Sequence, residues 1–133
     1  MEKVKEYFKK DQFAKMSDIE LEWVEPGRAR AIMTIKPHHM NAAAMVQGGA
    51  IFTLADFAFA AASNSHGNVA VGINANISFV KAGRTGRLTA DAREISRNPK
   101  LATYAVEVRD DAGETVALFH GMVYRKKELI VPA

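Results

Sequence analysis

Ile19, Leu21 and Trp23 alternate with Glu20, Glu22 and Val24, and that period of two predicts a strand. After a Pro26-Gly27 turn the alternation resumes cleanly. Ala29, Ala31, Met33 and Ile35 are apolar while Arg28, Arg30, Thr34 and Lys36 are polar, which predicts a half-buried strand ended by Pro37. Four more strand-like runs fill the second half of the chain. Val69, Val71, Ile73, Ala75, Ile77 and Phe79 predict one with a single apolar face. Leu88, Ala90 and Ala92 oppose Arg87, Thr89, Asp91 and Arg93; Tyr104, Val106 and Val108 oppose Thr103, Ala105, Glu107 and Arg109. The run from Thr115 to Tyr124 is apolar on both faces, as expected of a central strand. Breaks fall at Lys81-Ala82-Gly83, at Asn98-Pro99 and at Asp110–Gly113, where Asp111-Ala112-Gly113 suits a hairpin turn.

Two segments are helical in pattern. Residues 2–10 predict one short amphipathic helix carrying Val4, Tyr7 and Phe8. Residues 50–63, AIFTLADFAFAAAS, are apolar on nearly all sides, which predicts a helix buried all round and closed by Asn64–Asn68 with Gly67. Residues 38–47 read as loop. The order is helix, two strands, one buried helix, four strands. That makes one α+β domain over residues 1–133, with an antiparallel sheet of about five to six strands wrapping the long helix. An open sheet of this size leaves edges to cover, so an oligomer is expected.

Composition narrows the chemistry. With no cysteine in 133 residues, a disulfide scaffold, a thiolate nucleophile and a Cys-ligated metal are all excluded. The net charge of +3 is spread over both ends and the loops. Without aromatic interleaving or a recognition-helix pattern, no nucleic-acid partner is indicated. The N-terminus mixes both charge signs and has no apolar leader segment. Residues 57–80 lack charge but contain serines, asparagines and His66, so no membrane helix is expected and the cytoplasm is the expected location. Serine-hydrolase, zincin, P-loop and dinucleotide-binding motifs are all missing.

The odd residue is Asp56, the only charged side chain between Lys36 and Lys81, set mid-helix among Phe52, Leu54, Phe57 and Phe59. It is either a helix-face carboxylate that reaches solvent or a base or nucleophile held in a dry pocket. Gln47-Gly48-Gly49 precede the helix. Such a pair is either a simple turn or a place where backbone N–H groups, at the positive end of the helix dipole, polarise a carbonyl. Eight residues separate Gly48 from Asp56, which is ~12 Å of continuous helix. A base and an oxyanion donor acting on one carbonyl must both come within ~3 Å of the reacting atoms. If both act on one substrate, they come from two chains, and the active site crosses a dimer interface.

The stretch Asn41–Gly49, then Ile51-Phe52-Thr53-Leu54-Ala55-Asp56 and on through Ala60–Asn64, resembles the hotdog-fold acyl-CoA thioesterases of the phenylacetate-pathway, PaaI-like group. Their pattern is Asn, five residues, His-Gly-Gly, then Leu-x-Asp, and the spacings from 41 to 47 and from 47 to 56 match it. The resemblance covers roughly residues 15–126. It implies a hotdog fold, hydrolysis of an acyl- or aryl-CoA thioester and no metal. Coenzyme A enters as part of the substrate, with no separate cofactor. Asp56 would activate water or attack directly. Gly48 of the neighbouring chain, assisted by Asn41, would polarise the carbonyl. It also implies dimers paired into tetramers. One departure stands out: the family histidine is Gln47 here, which donates a hydrogen bond but transfers no proton near pH 7.

Two other readings keep this fold: a non-catalytic acyl-CoA binding or sensing protein, favoured by Gln47, and a hydratase or dehydratase, disfavoured because no histidine lies in residues 40–65. Among loop cations, Arg97 and Lys100 are the candidates for the CoA phosphates. His38 and His39 offer ligand atoms without matching acidic spacing, so no metal is expected. His66 reads as an exposed loop residue and His120 as a core histidine. Asn74, Asn76 and Ser78 share a strand face that is either solvated, an interface, or a means of orienting water.

Overall fold

The structure is a computed structural model, and it describes residues 1–131. The chain opens with two short helices, α1 (Glu2–Phe8) and α2 (Gln12–Met16). Strands β1 (Ile19–Glu25) and β2 (Arg28–Thr34) follow, then a single 3-10 turn at Pro37–His39 and the long helix α3 (Gly48–Asn64). Strands β3 (Asn68–Phe79), β4 (Arg87–Arg97), β5 (Leu101–Arg109) and β6 (Thr115–Leu129) complete it. All six strands form one antiparallel sheet in the order β1-β2-β4-β5-β6-β3. Helix α3 packs against every one of them, so the α+β arrangement of a helix wrapped by a sheet is the observed one. Among the described residues no helix is long and apolar enough to cross a membrane.

The alternation places alanines of β2 and β4 (Ala29, Ala31, Ala90, Ala92) under α3 with almost no exposed surface. Small side chains let helix and sheet approach closely, and the large ones fill what remains. Phe59 lies against Tyr104 and Phe119, with ring centroids 5.8 and 5.4 Å away. Its ring occupies slots over Gly72 and Gly121, where an added Cβ would come within 3.2 and 2.6 Å of it. Turns follow the glycines: Gly27 (φ 75°) between β1 and β2 and Gly113 (φ 81°) between β5 and β6 take the left-handed conformation glycine tolerates best.

Several sequence expectations need correction. The N-terminal segment forms two helices, because Asp11 accepts from the Ala14 N–H at 3.0 Å and starts α2. In β1 a bulge between Leu21 and Trp23 reverses the alternation. It buries Val24 and turns Trp23 outward, beneath the guanidinium groups of Arg28 and Arg30. Strand β3 lies at the sheet edge, and a second bulge between Gly72 and Asn74 breaks its apolar face. Val71, Ile73 and Phe79 are about half exposed. Strand β6 is interior, but only one of its faces is covered. Leu118, His120 and Tyr124 stand exposed on the outer side, so His120 is no core residue.

Candidate active site

The N-terminus of α3 is built by a closed loop. Met40 and Val46 bridge, the Gln47 N–H donates to the His39 carbonyl at 2.8 Å, and Asn41 Oδ1 accepts from the N–H groups of Ala43 and Met45 at 2.9 and 3.1 Å. This holds Ala44 at a positive φ of 58° and delivers the chain to Gly48, where the helix begins. Gln47 caps it, with Oε1 accepting from the Gly49 N–H at 3.2 Å. An alanine Cβ at residue 49 would lie 2.5 Å from that oxygen, so glycine there lets the Gln47 amide take this capping position without shifting. The Gly48 N–H is one of the orphan donors of a helix start, and among the described residues no acceptor takes it. It lines a groove of about 410 Å³ together with Met45, Ile51, Phe79, Val80 and Gly83.

Helix α3 runs unbroken from Gly48 to Asn64. Asn41, Gln47 and Gly48 therefore gather at its first turn, whereas Asp56 lies ~12 Å along it. Asp56 is not enclosed among the phenylalanines as its sequence neighbours suggested. Gly49, Thr53, Asp56 and Ala60 form the one stripe of α3 that the sheet leaves open, while Leu54, Phe57 and Phe59 turn into the core. The Asp56 carboxylate has no hydrogen-bond or ion-pair partner among the described residues. Although the residue is exposed, neighbouring protein partly desolvates its carboxylate, and the nearby Asp11 carboxylate adds repulsion; both hold its pKa above the usual carboxylate value. Sequence reasoning missed Asp11. Its signal was the capping position before Gln12-Phe13-Ala14, legible only once α2 is recognised.

The remaining candidates lie elsewhere. Arg97 and Lys100 flank the β4–β5 hairpin, toward the opposite end of α3, and are exposed. The Arg97 guanidinium is 3.7 Å from Glu94, and Arg125 ties the hairpin to β6 through the Asn98 carbonyl. Lys81 is held by Asp110 and Glu114. Asn74, Asn76 and Ser78 pair with Met122, His120 and Leu118 on the outer sheet face, away from α3. His66 is not a free loop residue: its Nε2 is 2.7 Å from Glu94 Oε1, which also accepts from the buried Tyr104 hydroxyl at 2.8 Å. Burial alone would raise the Glu94 carboxyl, but these two bonds outweigh it and hold it below its ordinary value.

Asp18, His38 and His39 come close enough to share a cation. His39, however, accepts the Lys36 N–H at Nδ1 (2.9 Å) and donates from Nε2 to the Ser17 carbonyl (2.8 Å). Both ring nitrogens are committed, and the group offers no third ligand atom.

Comparisons with known proteins identify the family and the fold. The thioesterase-superfamily profile matches residues 43–117, which span the helix-start glycines, Asp56, the whole of β3, β4 and β5 and the first residues of β6. Escherichia coli acyl-coenzyme A thioesterase PaaI is 34% identical over 119 residues, covering 89% of this chain and 85% of its own. A protein of Archaeoglobus fulgidus that carries a provisional esterase name is 42% identical over 134 residues, covering 99% of this chain and 87% of its own. The solved structure of the E. coli PaaI protein from the phenylacetic acid degradation operon superposes with a TM-score of 0.89 at 33% identity, over 92% of this chain and 89% of that one.

Proposed function

The chain belongs to the thioesterase superfamily, as a PaaI-like hotdog protein, and we propose that it hydrolyses an acyl- or aryl-CoA thioester to a carboxylic acid and free coenzyme A. One observation carries the reading. An unpartnered carboxylate with a raised pKa and an unpartnered N–H at a helix start sit on one rigid helix at a spacing no single substrate carbonyl spans.

Two chains of one dimer resolve the spacing. The free edge of β3 is a twelve-residue strand carrying Val71, Ile73 and Phe79 half exposed, the kind of edge that pairs with a second copy. Phe79 also lies against Gly48, so pairing at this edge draws the groove at Gly48 into the interface. In the resulting homodimer, Asp56 of one protomer faces Gly48 of its partner, and two such dimers stack as a tetramer in the cytoplasm.

The thioester carbonyl oxygen then accepts from the Gly48 N–H, with Asn41 holding the loop that presents it. Asp56 accepts a proton from water as the water oxygen bonds to the carbonyl carbon. The tetrahedral oxyanion collapses, the C–S bond breaks with its electron pair going to sulfur, and the proton on Asp56 passes to the thiolate. A raised pKa suits both halves of that cycle. Gln47 holds the helix cap through Oε1 and leaves Nε2 to donate to substrate. Arg97 and Lys100 are the groups we assign to the CoA phosphates. No metal or further cofactor takes part.

The test is thiol release from a panel of acyl- and aryl-CoA esters by the wild type and by Asp56→Asn. Turnover by the wild type that falls at least a hundredfold in the variant supports hydrolysis through Asp56. CoA esters that bind without turnover would instead support the binding-protein reading, with Gln47 as its cause.

A further inference from the structure

Helix α2 carries the most exposed large apolar side chains of the described chain. Phe13 is 66% and Met16 78% exposed, three residues apart and so on one face. They are not loose ends. Ala14 is buried beneath them, Asp11 caps the helix, and the Ser17 N–H closes it on the Phe13 carbonyl at 3.0 Å. The helix is then moored by His39, which donates to the Ser17 carbonyl, and by Lys36 and His38, which hold Asp18 at 3.0 and 2.7 Å. The chain thus spends several buried or charged contacts on fixing an apolar pair in water.

What that pair faces is a groove of about 510 Å³, whose other wall is the first two turns of α3: Gln47, Gly49, Phe52 and Thr53. The size suits a small ligand. Polar atoms stand at the α3 side, where Gln47 leaves Nε2 and Thr53, whose hydroxyl donates to the Gly49 carbonyl at 2.8 Å, leaves an acceptor oxygen; the α2 wall presents Phe13 and Met16, with Ser17, His38 and His39 at its end. Gly49 and Thr53 belong to the open stripe of α3, and Asp56 is the next residue along it, ~5 Å further on. Asp56 therefore lies on the same face of the helix just beyond the groove's lining residues, and this face is on the opposite side of the helix start from the groove at Gly48.

We propose that the groove between α2 and the start of α3 is the subsite for the apolar acyl or aryl group of the thioester, with Phe13, Met16 and Phe52 selecting which acyl groups are accepted. The inference rests on the thioesterase reading and adds the part of the substrate that each groove takes. The acyl group lies along α2 in the protomer that supplies Asp56, and the thiol-bearing arm leaves past Gly48 of the partner.

The experiment is kcat/KM for acetyl-, hexanoyl- and phenylacetyl-CoA with the wild type, Phe13→Ala, Phe13→Leu and Met16→Ala, alongside the solution mass and circular dichroism of each. The expected result is a roughly tenfold fall in the hexanoyl-to-acetyl and phenylacetyl-to-acetyl ratios in Phe13→Ala. Phe13→Leu keeps most of the hexanoyl ratio, and masses stay unchanged. Which of the two ratios falls further tells an alkyl from an aryl preference. Equal losses for all three esters in folded protein would overturn the subsite, as would a lower mass, which makes the pair an interface between copies. A wild type that turns over none of the esters overturns the thioesterase reading itself, and the subsite with it; an active wild type with unchanged ratios overturns only the subsite.

Discussion

Replacing Gly121 with alanine tests whether one aromatic ring locks α3 to the sheet. The new Cβ would lie 2.6 and 2.7 Å from Phe59 Cζ and Cε1 and 3.0 Å from the Phe119 ring. Carbon pairs settle at about 3.5–4.0 Å, so the overlap approaches 1 Å. Neither ring has space to retreat. Phe59 is 2% exposed and packed on Tyr104, and Phe119 is wholly buried. Overpacking of this kind costs about 1–3 kcal/mol, while alanine in place of a strand glycine returns about 0.5–1 kcal/mol. A net loss of about 1–2 kcal/mol is expected, which lowers the urea midpoint by roughly 0.5–1 M at a slope of ~2 kcal/mol/M. Stability should be compared at one fixed protein concentration, because oligomerisation feeds into it. Phe59→Leu alone leaves a cavity and costs roughly 1–2 kcal/mol. In the double variant leucine vacates the slot, so Gly121→Ala adds nothing to Phe59→Leu, a coupling of about 1–2 kcal/mol. Two strictly additive losses, or a Gly121→Ala protein as stable as the wild type, would refute the ring-in-slot account.

Further outcomes follow from the site. Asp11→Asn removes a like charge beside Asp56 and lowers its pKa, so the acid limb of the kcat/KM–pH profile moves to lower pH; an unmoved limb contradicts the coupling. A carboxyl whose pKa is raised on folding binds its proton more tightly in the native state. Its contribution favours folding at acid pH and is lost as pH rises through that raised value, so Asp56→Asn should flatten this part of the stability–pH curve in denaturant titrations. Gln47→Ala frees the Gly49 N–H and should cost about 1 kcal/mol in the same titration. Ile73→Lys charges the β3 edge and should lower the solution mass while circular dichroism stays native; an unchanged mass would move the interface elsewhere.

How far the sequence reveals this protein depends on whether the deciding contact is local. Strands β2, β4 and β5 alternate without a bulge through their central pairs, so period two alone places Ala29, Ala90 and Val106 under the helix. In β1 and β3 one bulged residue reverses the pattern, and nothing local marks it. The length of α3 and the separation of Gly48 from Asp56 were legible because helical rise is fixed. The open stripe was not. It depends on which sides of an evenly apolar helix the sheet covers, and that is settled by strands distant in sequence. Asp11 escaped notice for the same reason. It meets Asp56 only because α2 folds back beside α3, through contacts such as His39 to Ser17. Gln47 was recognised as a departure from the family pattern, but its work as the helix cap shows only in the geometry.

The two-chain site can be tested directly by mixing two inactive proteins. Asp56→Asn removes the base. Gly48→Pro removes the polarising N–H at the first position of a helix, where proline is tolerated. Each homodimer should be inactive. When the two are unfolded together and refolded, about half of the dimers carry one chain of each kind, and each of these holds one site with an intact Asp56 facing an intact Gly48. Thiol release should recover to about a quarter of the wild-type rate. If Asp56 and Gly48 of the same chain acted together, no mixed dimer would contain a complete site, and the mixture would stay as inactive as its parents.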